Sequence, residues 1–200
     1  MILFPKEHIL SLPNLLTYLR IAFIPLIIVL LSMPPTAATY NGAFVIYALA
    51  SFTDLLDGIL ARRRNQITPL GKLLDPLADK LLVSAVLIML VSQDVVPAWM
   101  VFVFISRDFV IMGLRTVAAS QGIIIDASRL GKNKMISLTI AILFLLIYNG
   151  DSRIDYHFMG MIFLWIALVL AIWSATSYGI NFYRIMCSLE AGMGKSRGSQ

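Results

Sequence analysis

A single cysteine, Cys187, leaves this chain without an intrachain disulfide, and its two histidines, His8 and His157, form no Cys/His spacing that would hold zinc. The redox compartment is therefore not readable. Charge is scarce too: Asp, Glu, Lys and Arg make up 14% of 200 residues against 59% hydrophobic, with a mean hydropathy of +0.85. Soluble domains carry about 25% charged residues, so this balance excludes an ordinary soluble domain and predicts an all-α, polytopic membrane protein. Six spans of about 20 residues each would use about 120 residues, leaving only short loops and ends. Such charge as there is leans positive, at +5. The basic residues lie beside apolar runs, where they set topology and attract anionic headgroups, so nucleic acid is not expected as a partner.

Residues 1–13 mix apolar side chains with Lys6, Glu7 and His8 and read as a short interfacial segment. Residues 14–184 read as a six-helix transmembrane domain, with spans near 15–33, 42–61, 70–92, 95–120, 135–148 and 157–183. Residues 185–200, ending GMGKSRGSQ, read as a disordered tail. The small residues from Pro34 to Tyr40 would also suit a signal-peptide cleavage site, but the preceding run is long and more apolar runs follow. Lys6, Arg20, Arg62, Arg63, Arg64, Lys72, Arg129, Lys132, Lys134, Arg184, Lys195 and Arg197 fall on one side and Arg153 on the other. The basic side is cytoplasmic by the positive-inside rule, which puts both termini there.

Against this apolar background, four aspartates crowd into Ser51–Lys80: Asp54, Asp57, Asp75 and Asp79. A carboxylate at bilayer depth costs at least about 2.5 kcal/mol and marks function unless it is merely paired. Residues three or four apart share a helix face, so Asp54 pairs with Asp57 and Asp75 with Asp79. The short polar hinge from Asn65 to Pro69 brings both pairs to one membrane face. A structural ion pair with Lys72 or Lys80 would explain one such aspartate, but not four at this spacing. Converging carboxylates need cations, and hard oxygen donors favour magnesium, manganese or calcium. Four suffice for two divalent ions in the geometry of phosphoryl transfer. Gly58, Ala61 and Gly71 leave room for a bulky ligand near the backbone, and Arg62 offers a planar fork to a diphosphate. Arg63 and Arg64 read as topology signals.

The run Asp54-x-x-Asp57-Gly58-x-x-Ala61-Arg62, eight residues, then Gly71-x-x-x-Asp75-x-x-x-Asp79 resembles the full signature of the CDP-alcohol phosphatidyltransferase family. That resemblance implies the family's six-helix transmembrane fold and a homodimer. It implies two divalent cations, Mg2+ or Mn2+, on the four aspartates, with Asp79 also the general base. It assigns Gly58, Ala61 and Gly71 to the space for the cytidine diphosphate and Arg62 to its phosphates. Pro13-Asn14-Leu15-Leu16-Thr17-x-x-Arg20, LLDPLADKLL, Ser106-Arg107-Asp108 with Arg115, and Gly131-Lys132-Asn133-Lys134 resemble the bacterial phosphatidylglycerophosphate synthases within the family. Asp108 and Met135 depart from that group, where glutamate and threonine are usual. Thr17 joins the expected CDP-lipid site on the same ground.

Arg107, Arg115, Arg129, Lys132 and Lys134 carry more positive charge than a neutral alcohol acceptor needs, and such a cluster suits a phosphomonoester. The expected reaction moves the phosphatidyl group of CDP-diacylglycerol to sn-glycerol 3-phosphate, at the cytoplasmic face of a bacterial inner membrane. Two alternatives are a cardiolipin synthase taking phosphatidylglycerol, because the Arg-Asp pair occurs there too, and a cation transporter. The absence of self-similarity between the two halves of the chain argues against transport.

Overall fold

A computed structural model describes residues 12–64, 69–120, 129–147 and 155–197. Among the described residues the chain forms six helices and no strand: α1 Leu12–Ser32, α2 Ala37–Arg64, α3 Pro69–Ser92, α4 Ala98–Ser120, α5 Arg129–Leu145 and α6 Tyr156–Arg197. The all-α expectation therefore holds. The interfacial segment up to residue 11, the hinge over 65–68, the connection over 121–128 and the loop over 148–154 lie outside the described residues.

The helix boundaries have local causes. Pro34 and Pro35 follow α1, and Thr36 then caps α2. Its Oγ1 accepts from the Thr39 amide at 3.3 Å while Thr39 Oγ1 accepts from the Thr36 amide at 3.0 Å, a reciprocal capping pair. At the end of α3 the Val95 amide reaches back to the Leu90 carbonyl and the Asp94 amide to that of Val91, each at 3.0 Å. This Schellman closure needs a left-handed residue, and Asp94 supplies it at φ 56°. Asp155 Oδ1 caps α6 by accepting from the Phe158 amide at 3.0 Å.

Two boundaries differ from the sequence reading. α5 begins at Arg129, so Gly131, Lys132 and Lys134 ride on its first turns instead of ahead of a span beginning near residue 135. α6 runs on to Arg197 through much of the stretch read as a disordered tail. In both places polar sequence extends a helix that apolar sequence has already nucleated, and elongation costs far less than nucleation.

α1 packs against both α2 and α3; α4 contacts α3 and α6; α2 and α3 each touch α5; α5 and α6 form the most extensive pair. Ile27, Tyr47, Leu82, Phe104, Ile142 and Leu164 contribute to one continuous core across all six helices. Close approach of α5 and α6 depends on Gly160. A Cβ there would lie 2.6 Å from Leu145 Cγ and 3.2 Å from the Ala141 carbonyl oxygen. Gly160→Ala is expected to lower stability in detergent by about 1–2 kcal/mol, overpacking outweighing the gain in helix propensity. A denaturant titration followed by circular dichroism checks this.

The outward faces are as apolar as the core: Val29, Val45, Phe52, Ile88, Phe102, Phe109, Ile136 and Trp173 are all exposed. Among the described residues one helical stretch, Tyr156–Ile185, is long and apolar enough to cross a membrane by length and composition; Thr17–Ser32 is apolar but shorter.

Candidate active site

Helix periodicity places the expected ligand residues first. Asp54, Asp57, Gly58, Ala61 and Arg62 fall in the last three turns of α2, and Gly71, Asp75 and Asp79 in the first three turns of α3. Both helices flank α1 and both reach α5. Apart from Asp79, the side chains of this set lie outside the described residues, as does that of Arg129, the first residue of α5. Among the described residues no three His, Cys, Asp or Glu side chains come together. On α1, Thr17 and Arg20, one turn apart, are each 1% exposed. Arg20 is thus sealed inside the bundle, although its place among the basic residues of one face suggests only a topology signal.

Asp79 stands where two cavities meet. One, of about 90 Å3, is walled by Arg107, Asp108 and Lys134; the other, of about 360 Å3, by Ser51, Lys132, Met135 and Thr139. A third, of about 230 Å3, continues past Arg107 and Lys132 to Arg115, Ser174 and Tyr178. The structure therefore gathers Asp79, Arg107, Arg115, Lys132 and Lys134, from three helices, around cavities that share walls. The wall toward α2 is different in character. The Tyr47 hydroxyl is buried there without a hydrogen bond of normal geometry, facing Ser51, Thr139 and the Asp79 charge.

The basic residues are not equivalent. Lys134 is 2% exposed, and its Nζ donates to both carboxylate oxygens of Asp108 at 3.0 Å each, above the ring of Phe104. Arg107 Nη1 donates to Asp108 Oδ1 at 2.8 Å and Nη2 to Ser174 Oγ at 2.6 Å. Lys132 and Arg115 are exposed at the cavity mouths, Arg115 with its guanidinium 5.8 Å from the centre of the Tyr178 ring. So Lys134 is committed to a carboxylate, whereas Arg107, Lys132 and Arg115 present positive charge to the cavities.

Ser51, Thr139, Ser174 and Tyr178 are site residues that the sequence does not single out. Isolated hydroxyls in apolar helices carry no spacing signal, since they are as readily bonded to their own helix backbone.

A fourth cavity, of about 80 Å3, opens between α3 and α4. It is lined by Leu77, Leu81, Ile105, Phe109 and Met112 and reaches Lys80 and Asp108 at its polar end.

Residues 10–173 match the family model described as CDP-alcohol phosphatidyltransferase. The CDP-diacylglycerol–glycerol-3-phosphate 3-phosphatidyltransferase of Bacillus subtilis is 39% identical, over 84% of this chain and 93% of its own length. The protein of the same name from Rickettsia typhi is 40% identical, over 84% of this chain and 94% of its own. A cardiolipin synthase (CMP-forming) of Streptomyces coelicolor is 30% identical, over 88% of this chain and 79% of its own.

Proposed function

The chain belongs to the CDP-alcohol phosphatidyltransferase family, and on that premise we propose that it moves the phosphatidyl group of CDP-diacylglycerol to sn-glycerol 3-phosphate, giving phosphatidylglycerophosphate and CMP. The observation that carries this reading is the position of Asp79. It borders a small chamber walled by Arg107 and the Asp108–Lys134 pair, and a larger one toward α2. One carboxylate can thus face an acceptor hydroxyl on one side and a donor diphosphate on the other. The names and identities of the Bacillus and Rickettsia relatives support the same acceptor.

The donor set on α2 and α3 is all carboxylate, the chemistry that hard divalent cations take. Asp54, Asp57, Asp75 and Asp79 would hold two of them, Mg2+ or Mn2+, which supply neutralisation of diphosphate charge when bound. Asp79 takes the proton of the primary hydroxyl of glycerol 3-phosphate. The oxygen so freed attacks the phosphorus bearing the diacylglycerol, its bond to the CMP oxygen breaks, and CMP leaves with the electron pair. Arg62 would bind the departing phosphate, Gly58, Ala61 and Gly71 would leave room for the cytidine diphosphate, and Thr17 would support the donor side from α1. Arg107, Arg115, Arg129 and Lys132 orient the acceptor phosphate, and Lys134 takes part indirectly, by holding Asp108 beside Arg107.

The apolar outward faces of all six helices support a bundle embedded in lipid, with 14–184 as the membrane domain, 1–13 at its surface and 185–200 on the cytoplasmic side. In this arrangement the acyl chains of the donor stay in the bilayer while its headgroup reaches the polar cavities. The protein acts as a homodimer in the bacterial inner membrane, its site open to the cytoplasm.

The Streptomyces relative favours a second reading, with phosphatidylglycerol as acceptor. Purified protein supplied with CDP-diacylglycerol and Mg2+ or Mn2+ is expected to release CMP at least about tenfold faster with glycerol 3-phosphate than with phosphatidylglycerol. The reverse preference would replace the first reading by the second. Chelation by EDTA is expected to stop CMP release and either cation to restore it.

A further inference from the structure

Arg107 comes from α4 and Ser174 from α6, 67 residues apart, yet the guanidinium is held between Ser174 and its own neighbour Asp108. Each partner is itself constrained. Ser174 is 0% exposed, and its Oγ spends its one proton on the Ala171 carbonyl at 3.1 Å, so the lone pair that meets Arg107 Nη2 is fixed in direction. Asp108 is held by Lys134, whose ammonium straddles both carboxylate oxygens. Two of the five guanidinium donors are thereby used. Nε is buried without an acceptor among the described residues, at the wall of the cavities that Arg107 lines.

A flexible arginine loses side-chain entropy when it binds a phosphate, and a guanidinium already locked in plane loses less. We infer that Ser174 and Asp108 are positioning residues which lock the Arg107 guanidinium for the phosphate of the acceptor, with Lys134 completing the lock through Asp108. This rests on the assignment of Arg107 to the acceptor phosphate. Ser174 touches no substrate in this scheme and acts through Arg107.

Ser174→Ala removes one atom from a buried site and adds none, so the fold is kept. It is expected to raise the KM for glycerol 3-phosphate about five- to tenfold, less than a full hydrogen bond from a charged donor because Asp108 still holds the guanidinium, with kcat and the KM for CDP-diacylglycerol within about twofold. Ser174→Thr keeps the hydroxyl and is expected to restore the acceptor KM; Ser174→Cys, a poor acceptor of similar size, is expected to behave like the alanine variant.

The decisive comparison is a double-mutant cycle. In an Arg107→Ala background, Ser174→Ala is expected to change the acceptor KM no further. A full-sized Ser174→Ala effect without Arg107, or a Ser174→Ala variant that moves both KM values together, overturns the inference. Failure of the underlying assignment looks different: Arg107→Ala alone would leave the acceptor KM unmoved relative to that of the donor, whatever Ser174 does.

Discussion

Asp79→Asn is expected to abolish CMP release, by about a thousandfold or more, in detergent with Mg2+ or Mn2+ present. General-base catalysis contributes about 10²–10⁴ in rate, and the substitution also takes one carboxylate from the proposed cation ligands. Asparagine has the shape of aspartate, so both cavities bordered by Asp79 keep their walls. What it loses is the charge and the ability to take a proton. Size-exclusion elution and the helical circular dichroism signal should match the unsubstituted protein, which separates lost chemistry from lost fold. Near-normal turnover in a protein so folded would remove Asp79 from the reaction.

Arg107→Ala is expected to raise the KM for glycerol 3-phosphate about 10- to 100-fold and that for CDP-diacylglycerol no more than about threefold. Hydrogen bonds to charged groups are worth about 1.5–3 kcal/mol each, and about 1.4 kcal/mol is tenfold. The variant keeps Asp108 paired, because Lys134 Nζ remains 3.0 Å from both of its oxygens. The buried carboxylate is therefore not orphaned, and gross destabilisation is not the expected outcome. Arg107→Lys restores the charge without the planar fork and should recover only part of the loss. An equal rise in both KM values would refute the acceptor assignment.

The helices that carry Asp54, Asp57, Asp75 and Asp79 were legible from their apolar runs, and spacings of three and four assign each pair to one helix face by periodicity alone. The membrane character was legible from composition, and the outward Phe102, Phe109 and Trp173 agree with it. Arg107, Lys132 and Lys134 were legible as a basic group but not as parts with different tasks. That difference is set by Asp108, which takes Lys134 out of the cavity charge across 26 residues of sequence. Ser174 and Tyr178 were not legible at all. Each is a hydroxyl in an apolar helix, and only the docking of α6 against α4 and α5 brings them to the site. The ends of α5 and α6 were misread for a related reason: polar residues continue a helix when the adjoining segment is already packed.

The measurement closest to the central claim follows one oxygen atom. Glycerol 3-phosphate carrying 18O in its primary hydroxyl is incubated with CDP-diacylglycerol and the purified protein, and both products are weighed by mass spectrometry. The account predicts CMP and phosphatidylglycerophosphate in equal amounts, with all of the transferred label in the lipid and none in CMP. Label in CMP, or CMP released without a labelled lipid, would contradict it.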